Sequence, residues 1–256
     1  MKRILLMSVN LILFFLFQVG AVHAADVGDP AAAFKKDYPA VQFENIEKTD
    51  IDGVYEVTAG GNLLYYYPQR GYILFGELYN KSGQNLTAER RDAISAKKIK
   101  NLPLDKAIKI GKGKKTVIEF TDLDCPFCRK AEDFFKDRKD ITRYVFLYPL
   151  QQLHPLSMAK SLKVLCVKKS GRAAAYTEAI SGSLDNLELK GAADNLLSVC
   201  PDQKKIDLLM EYGKLGRELG IAGTPSFWIN GVHVSGADFK RLGELLDDSQ
   251  PKKEGR

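Results

Sequence analysis

Two cysteines separated by two residues, in Cys125-Pro126-Phe127-Cys128, constrain the fold of this chain more than any other sequence feature. Residues 114–121, just before them, have the pattern of a buried strand, and those from Cys128 to about Arg138 have the spacing of an amphipathic helix. The first N–H groups of a helix and its dipole stabilise an anion. Pro126 suits the first helical position, where its missing N–H is not needed. We therefore expect Cys125 at a helix N-terminus, with its sulfur exposed.

A cysteine in that position has a defined chemistry. A free cysteine with a pKa of about 8.5 is about 3% thiolate at pH 7, whereas a pKa of about 5 gives about 99%. The thiolate attacks a disulfide sulfur and forms a mixed disulfide. Cys128, one turn further along the helix, can then attack that mixed disulfide and release the partner. The motif predicts thiol–disulfide exchange, with Cys125 attacking and Cys128 resolving.

Two other uses of the motif remain open. A structural zinc site takes four protein ligands, often as two close pairs, and here the remaining cysteines, Cys166 and Cys200, stand alone. A purely structural disulfide between Cys125 and Cys128 is the second alternative, although so tight a loop is uncommon as a staple. We expect neither a metal nor another cofactor. The net charge of +6, of which +4 remains beyond the first 24 residues, is too small to indicate nucleic-acid binding, and the sequence has no basic stripe interleaved with aromatic residues.

The first 24 residues have the features of an export signal. Lys2 and Arg3 precede an apolar run over residues 4–17, and small side chains follow at Val22 and Ala24. This pattern predicts a signal peptide, residues 1–24, cleaved after about Ala24. The alternative is an uncleaved anchor, but spanning a bilayer takes about 20 apolar residues and this run is shorter. We expect an exported protein, in a compartment where disulfides persist.

The rest of the chain, with 45% hydrophobic and 27% charged residues, has the composition of a globular protein. Residues 25–86 predict a short helix near residues 31–37 and a β-meander with strands at 53–58, 63–67 and 72–79. Its size is marginal for an independent core, so the sheet either gains a second copy or packs on the remaining chain. Residues 87–106 predict a charged linker helix capped by Thr87. Residues 107–250 alternate strand and helix, with residues 109–115 as a solvated loop, and 251–256 form a tail.

Two further features converge on the thiols. Glu119 lies six residues before Cys125 on the predicted strand, and an inward side chain would be buried near Cys128. A buried carboxyl has a raised pKa and can exchange a proton with the second thiol. The alternative is an outward, solvated glutamate, because Val117 shares its face. Thr224-Pro225 precedes an apolar strand, where a cis peptide would expose the backbone of Thr224 to an extended substrate.

The remaining candidates are assigned structural roles. Cys166 and Cys200 follow helical apolar runs, and in an oxidising compartment they form either a structural disulfide or two free buried thiols. His154 and His233 lack partners spaced for a metal or a catalytic triad, so we expect both to be non-catalytic. Trp228 is assigned to the core.

The order and spacing of these parts resemble the periplasmic disulfide isomerase family typified by DsbC and DsbG, within the thioredoxin-like superfamily. The resemblance covers nearly all of the chain after the signal peptide. It is carried by the meander domain, the connecting helix, both lone cysteines and four sequence motifs: Gly-Glu-Leu-Tyr at 76–79, Phe-Thr-Asp-Leu-Asp-Cys-Pro-Phe-Cys at 120–128, His-Pro-Leu-Ser-Met-Ala-Lys at 154–160 and Gly-Ile-Ala-Gly-Thr-Pro at 220–225.

The resemblance implies an α+β fold in which a small N-terminal dimerisation domain, residues 25–86, joins a thioredoxin-like catalytic domain, residues 107–250, that carries a helical insertion. It implies a V-shaped homodimer in the periplasm whose cleft holds misoxidised or unfolded exported proteins. Cys125 would attack and Cys128 resolve, with Thr224, cis-Pro225, Pro126 and Phe127 facing the substrate. The remaining two cysteines, 166 and 200, would form the family's structural disulfide. A membrane-embedded electron donor resembling DsbD would keep the active pair reduced.

Two departures from the family pattern bear on activity. The pair Pro126-Phe127 replaces the Gly-Tyr of the best-known isomerase and is closer to the Pro-Tyr of DsbG. Glu119 is closer to the acidic residue of thioredoxins and DsbA-type oxidases than to DsbC. We therefore consider three hypotheses for the function of the chain: a dimeric thiol–disulfide isomerase, a monomeric dithiol oxidase or dedicated reductase on the same fold, and a chaperone with secondary redox activity.

Overall fold

The computed structural model describes residues 28–186 and 195–247, so the predicted signal peptide and the tail lie outside the described residues. The chain begins with helix α1 and a four-stranded antiparallel meander in sequence order. A small core of Phe34, Val57, Leu64 and Tyr66 joins helix and sheet. The predicted α+β class with an N-terminal meander is confirmed. The elements are α1 (Pro30–Asp37), β1 (Asn45–Lys48), β2 (Tyr55–Ala59), β3 (Asn62–Tyr67) and β4 (Tyr72–Leu74).

The last strand of the meander is shorter than the predicted 72–79, because β4 ends at Leu74. The amide of Leu78 donates instead to Thr87 Oγ1 at 2.7 Å. Thr87 lies inside the helix and its hydroxyl also contacts Tyr65 Oη at 2.5 Å, so it does not cap the helix as predicted. Asn85 is the cap, and its side chain accepts from the amide of Ala88 at 2.9 Å.

Helix α2 (Leu86–Lys98), continued by a 3₁₀ turn (Ile99–Asn101), links the meander to a second sheet. Ser95 Oγ on this helix accepts a hydrogen bond from Trp228 Nε1 at 3.3 Å. The predicted core position of Trp228 is correct, since its side chain is 2% exposed. The linker helix therefore packs on the second domain.

The second sheet has five strands in the order β5-β7-β6-β8-β9, with β6 and β7 parallel and the other pairs antiparallel. The expectation of a solvated loop over residues 109–115 is wrong for residues 109–111, which pair with β7, whereas Lys112 and Lys114 are exposed between two strands. The strands are β5 (Ile108–Gly111), β6 (Lys115–Thr121), β7 (Ile141–Leu147), β8 (Ser226–Ile229) and β9 (Val232–Ser235).

Helices cover both faces of this sheet, as in thioredoxin-like proteins. Val117 packs with Ala131 and Leu242 on one face, and Phe120 packs with Leu162 and Tyr212 on the other. No helix among the described residues is long and apolar enough to cross a bilayer. The helices are α3 (Pro126–Phe135), α4 (Ser157–Cys166), α5 (Arg172–Ile180), α6 (Leu196–Val199), α7 (Gln203–Glu218) and α8 (Phe239–Asp247).

Candidate active site

The cysteine motif lies where β6 gives way to α3. Cys125 is the N-cap residue, with φ −74° and ψ 121°, and Pro126 takes the first helical position, as the sequence predicts. Both cysteines carry free thiols in this structure. Cys125 retains 5% exposure whereas Cys128 has none, so the expected exposed sulfur is wrong in degree. The chain before β8 covers this sulfur, with the Thr224 carbonyl oxygen 3.4 Å from Cys125 Sγ.

The two sulfurs differ sharply in acidity. A hydrogen bond from the Cys128 thiol, helped by the backbone N–H groups of Cys128 and Phe127, lowers the pKa of Cys125 from 9.0 to about 5, against the opposing effect of burial. Burial and the neighbouring Cys125 raise the pKa of the Cys128 thiol well above its ordinary value. At neutral pH the arrangement holds Cys125 as a thiolate and Cys128 as a thiol.

The segment before β8 forms one wall beside Cys125. The Thr224-Pro225 peptide bond is cis. Pro225 is buried and Thr224 is half-buried. On the other side, Pro126 is exposed and the Phe127 side chain is 54% exposed. The Thr224 carbonyl thus contacts the Cys125 sulfur, and Pro225, Pro126 and Phe127 adjoin these two residues in the chain.

Glu119 points into the protein, so the alternative of a solvated glutamate is wrong. Its side chain is fully buried, with Tyr176 donating to Oε1 at 3.5 Å and Arg143 Nε at 3.4 Å from Oε2. Burial raises the pKa of Glu119, and Arg143 partly opposes this. Arg143, which sequence analysis missed, also pairs with Glu132. A lone arginine in the otherwise apolar strand β7 was the available signal.

Asp122 is a second residue that sequence analysis missed. Its buried carboxylate accepts hydrogen bonds from Ser157 Oγ at 2.6 Å and from the amide of Leu150 at 2.7 Å. His154 Nδ1 lies 3.0 Å from the same carboxylate, so this histidine has a structural contact beside the motif. The amide of Asp122 donates to Cys128 Sγ at 3.4 Å. Asp122 therefore fixes the loop that enters the motif.

The other candidates lie apart from the thiols. Cys166 and Cys200 form a disulfide with a Cα–Cα distance of 5.8 Å, so they are not free thiols. His233 stacks on Trp228 with ring centroids 4.4 Å apart. Among residues 28–186 and 195–247, no group of three or more His, Cys, Asp or Glu side chains is arranged to hold a metal ion.

Comparisons with known proteins match both parts of the chain. Residues 21–88 match the family described as disulfide bond isomerase protein N-terminal domain. Residues 102–249, more than half of the chain, match the thioredoxin-like domain family. A linker-deletion variant of ScsC from Proteus mirabilis has a similar fold, with a TM-score of 0.50 and 21% identity over 62% of this chain and 84% of that chain.

Curated relatives match this chain over most of its length. A probable thiol:disulfide interchange protein DsbC from Bordetella pertussis is 28% identical over 84% of this chain and 73% of its own length. The thiol:disulfide interchange protein DsbC of Escherichia coli K12 is 24% identical over 84% of this chain and 86% of its own length. The chain belongs to the thioredoxin-like family, and its N-terminal domain match and its curated relatives are those of DsbC thiol:disulfide interchange proteins.

Proposed function

We propose that this chain is a periplasmic thiol–disulfide isomerase and reductase that rearranges wrong disulfides in exported proteins. The observation that carries the proposal is the split between the two thiols of one helix end. The pKa of Cys125 falls to about 5 through the Cys128 thiol and the helix N-terminus. Burial raises the pKa of Cys128. Cys125 is therefore ready to attack as a thiolate, whereas Cys128 stays protonated as a thiol.

The chemistry follows from this difference. The Cys125 thiolate attacks one sulfur of a substrate disulfide, so a Cys125–substrate bond forms and the other substrate sulfur leaves as a thiolate. That thiolate, or another in the substrate, can attack the mixed disulfide and restore Cys125, which rearranges disulfides with no net redox change. If Cys128 attacks instead, the substrate leaves reduced and Cys125–Cys128 forms. A Cys128 held as a thiol attacks slowly, which favours rearrangement.

Glu119 is the proposed proton acceptor for Cys128. Its carboxyl is fully buried, and burial raises its pKa towards the range in which a carboxylate acts as a base near neutral pH. Cys128 must lose its proton before it attacks, because the thiolate is the nucleophile. Glu119 would hold that proton while the Cys125–Cys128 bond forms.

The residues beside Cys125 are the proposed substrate contacts. Thr224 and Pro225 form one wall, and the Thr224 carbonyl lies 3.4 Å from Cys125 Sγ. Pro126 and Phe127 form the other, with Phe127 54% exposed. A flexible or unfolded chain presents apolar side chains that this exposed ring can cover. These four residues would hold a substrate disulfide against Cys125.

A second copy of the chain is the proposed partner for the meander. β4 is one of the two edge strands of its sheet, and edge strands offer unpaired backbone groups to another chain. The edge is also apolar, and an apolar edge of this kind marks an association surface. The exposed apolar side chains on and just after β4 are Tyr72 (59%), Leu74 (52%), Phe75 (75%) and Tyr79 (62%).

A membrane-embedded, DsbD-like electron donor is a further proposed partner. It would keep the active cysteine pairs of the dimer reduced.

The proposal is tested with a scrambled multi-disulfide protein as substrate. We expect Cys125→Ser to abolish the recovery of native disulfides. Cys128→Ser should keep part of the activity, because substrate thiols can still resolve the mixed disulfide. Unchanged recovery in Cys125→Ser would refute the proposal. Equal and complete loss in both variants would favour a reductase, which needs the second thiol in every turnover.

A dithiol oxidase is the second candidate, and the low pKa of Cys125 favours it. A stabilised thiolate stabilises the reduced form and makes the disulfide a stronger oxidant, as in DsbA. The redox state of Cys125 and Cys128 in cells separates the two functions. An isomerase is found reduced, because only the thiolate can attack, whereas an oxidase is found as the disulfide.

A further inference from the structure

Two buried polar atoms without hydrogen-bond partners lie on β6 close to the motif. Glu119 and Thr121 share one face of β6, because alternate residues of a strand point the same way. Both side chains are fully buried. Within the part of the chain that the structure describes, Glu119 Oε2 and Thr121 Oγ1 have no hydrogen-bond partner. Buried polar atoms seldom lack partners, so two on adjacent positions of one face indicate a role beyond packing.

Cys128 lies on α3, and its side chain is also fully buried. Its sulfur accepts from the amide of Asp122, the residue that follows Thr121, at 3.4 Å. Burial raises the pKa of both Cys128 and Glu119, and the Thr121 hydroxyl lowers the pKa of each. Thr121 lies two residues from Glu119 on the same face of β6 and directly before Asp122, whose amide contacts Cys128 Sγ, although its hydroxyl reaches full hydrogen-bond geometry with neither group in the resting protein. Catalytic hydrogen bonds are often loose until a substrate complex forms.

The Glu119 carboxyl contacts other side chains and not Cys128. Its two oxygens are approached by Tyr176 at 3.5 Å and by Arg143 at 3.4 Å. No hydrogen bond joins its carboxyl directly to Cys128 among the described residues. A hydroxyl can accept a proton on its oxygen while it donates its own, which makes it suited to bridge a thiol and a carboxylate.

We propose that the Thr121 hydroxyl relays a proton between Cys128 and Glu119, an inference that rests on the exchange function proposed above. The Cys128 thiol gives its proton to Thr121 Oγ1, and the proton of that hydroxyl passes to Glu119. The Cys128 thiolate then attacks Cys125 in the mixed disulfide. The Cys125–substrate bond breaks, the Cys125–Cys128 bond forms, and the substrate leaves as a thiolate. Substrate is reduced, the dithiol is oxidised, and Glu119 retains the proton.

The groups around Glu119 shift its pKa in both directions. Arg143 on β7 favours the carboxylate, whereas burial and Glu132 on α3 favour the neutral acid. Tyr176 on α5 donates to the carboxylate. The neighbour across from Glu119 on β8 is the apolar Phe227. These groups act on the pKa of Glu119 in opposite directions, and burial, the largest effect, leaves it raised.

The test follows the mixed disulfide itself. The reduced, full mature protein is mixed with oxidised glutathione, quenched with acid at set times, and weighed by mass spectrometry from pH 5 to 9. Thr121→Val keeps the shape but removes the hydroxyl, and Thr121→Ser keeps the hydroxyl. Thr116→Val, an exposed position on the same strand, is the matched control. Glu119→Gln and the double variant with Thr121→Val complete a cycle.

We expect the glutathione adduct of Thr121→Val to decay about tenfold more slowly than wild type near pH 7, at the low end for a lost proton-transfer group. Thr121→Ser should recover wild-type decay within about twofold, and the double variant should be no slower than Glu119→Gln, as coupled residues behave. The rate at which the adduct forms at Cys125 should not change, which separates a relay from general damage to the fold.

Three results would overturn the relay. One is wild-type decay in Thr121→Val across the pH range. Another is a Thr121→Ser variant as slow as Thr121→Val, which would indicate lost packing of the methyl group. The third is a double variant whose slowing is the product of the single effects. If wild type forms neither an adduct at Cys125 nor the Cys125–Cys128 disulfide, the exchange function is wrong and the relay falls with it, so the two failures are distinguishable.

Discussion

The acidity of Cys125 predicts an unusual pH profile for its reaction with disulfides. The hydrogen bond from the Cys128 thiol is the largest cause that lowers its pKa from 9.0 to about 5. At pH 7 this raises the thiolate fraction from about 1% to about 99%, roughly a hundredfold gain. At pH 5 the fraction rises from about 0.01% to about 50%, a gain of roughly 5,000-fold.

The thiolate of a more acidic thiol is also a weaker nucleophile. This loss of intrinsic reactivity decides at which pH the lowered pKa accelerates the reaction. With a Brønsted coefficient of about 0.4–0.5, a pKa about four units lower reduces the intrinsic rate about 40- to 100-fold. The loss nearly cancels the gain at pH 7. At pH 5 a net acceleration of about 50- to 125-fold over a free cysteine remains. Reactivity at acidic rather than neutral pH is therefore the informative quantity.

The assay measures the reaction of the reduced protein with one equivalent of dithiodipyridine from pH 3 to 9. We expect a rate that rises with a midpoint near pH 5 and then levels off. Cys125→Ser controls for Cys128, whose raised pKa should leave it slow throughout. Cys128→Ala should move the midpoint upward, because it removes the largest stabilising contact. A midpoint near 9, or a rate at pH 5 equal to that of glutathione, would refute the reasoning.

Three further predictions concern stability, assembly and the buried charges. Replacing Cys166 and Cys200 with alanine should lower the free energy of unfolding by about 4 kcal/mol, the chain-entropy value for a loop of their separation of 34 residues, measured in urea. Phe75→Glu should convert a dimer to a monomer in light scattering, because Phe75 is 75% exposed on the apolar edge. Arg143→Met should move the pH dependence of mixed-disulfide decay to higher pH, since removing the guanidinium raises the pKa of Glu119 further.

Each has a result that would count against it. Unfolding of the double alanine variant at the wild-type urea concentration would show that the disulfide adds no stability. A wild-type protein that already elutes as a monomer would remove the proposed second copy and shift weight towards the oxidase. An unchanged pH profile in Arg143→Met, in a variant that keeps its near-ultraviolet circular dichroism, would place Glu119 outside the proton path.

The sequence predicts the features that depend on local signals. The start of α3 follows from a proline at the first helical position and the apolar spacing after it, so Cys125 is placed correctly at the N-cap. The disulfide between Cys166 and Cys200 agrees with one of the two alternatives, although the sequence alone left free thiols open. Proline and cysteine can each be placed from sequence because their chemistry restricts the positions and partners that they can have.

Features that depend on distant contacts were not predictable in this way. β5 is four residues long and is specified by its pairing with β7, more than thirty residues later. The cap of α2 passes from Thr87 to Asn85 because Thr87 is occupied by Tyr65 and by the amide of Leu78. The ion pair of Glu119 with Arg143 joins neighbouring parallel strands, whose register no sequence pattern specified.

The central claim is that the Cys125 sulfur bonds covalently to substrate, and trapping tests it most directly. Cys128→Ala removes the resolving thiol, so mixed disulfides with a scrambled multi-disulfide substrate should accumulate. Non-reducing digestion and mass spectrometry should place every adduct on Cys125. Adducts that persist when Cys125 is also changed to serine, or no adduct while native disulfides are still recovered, would contradict the account.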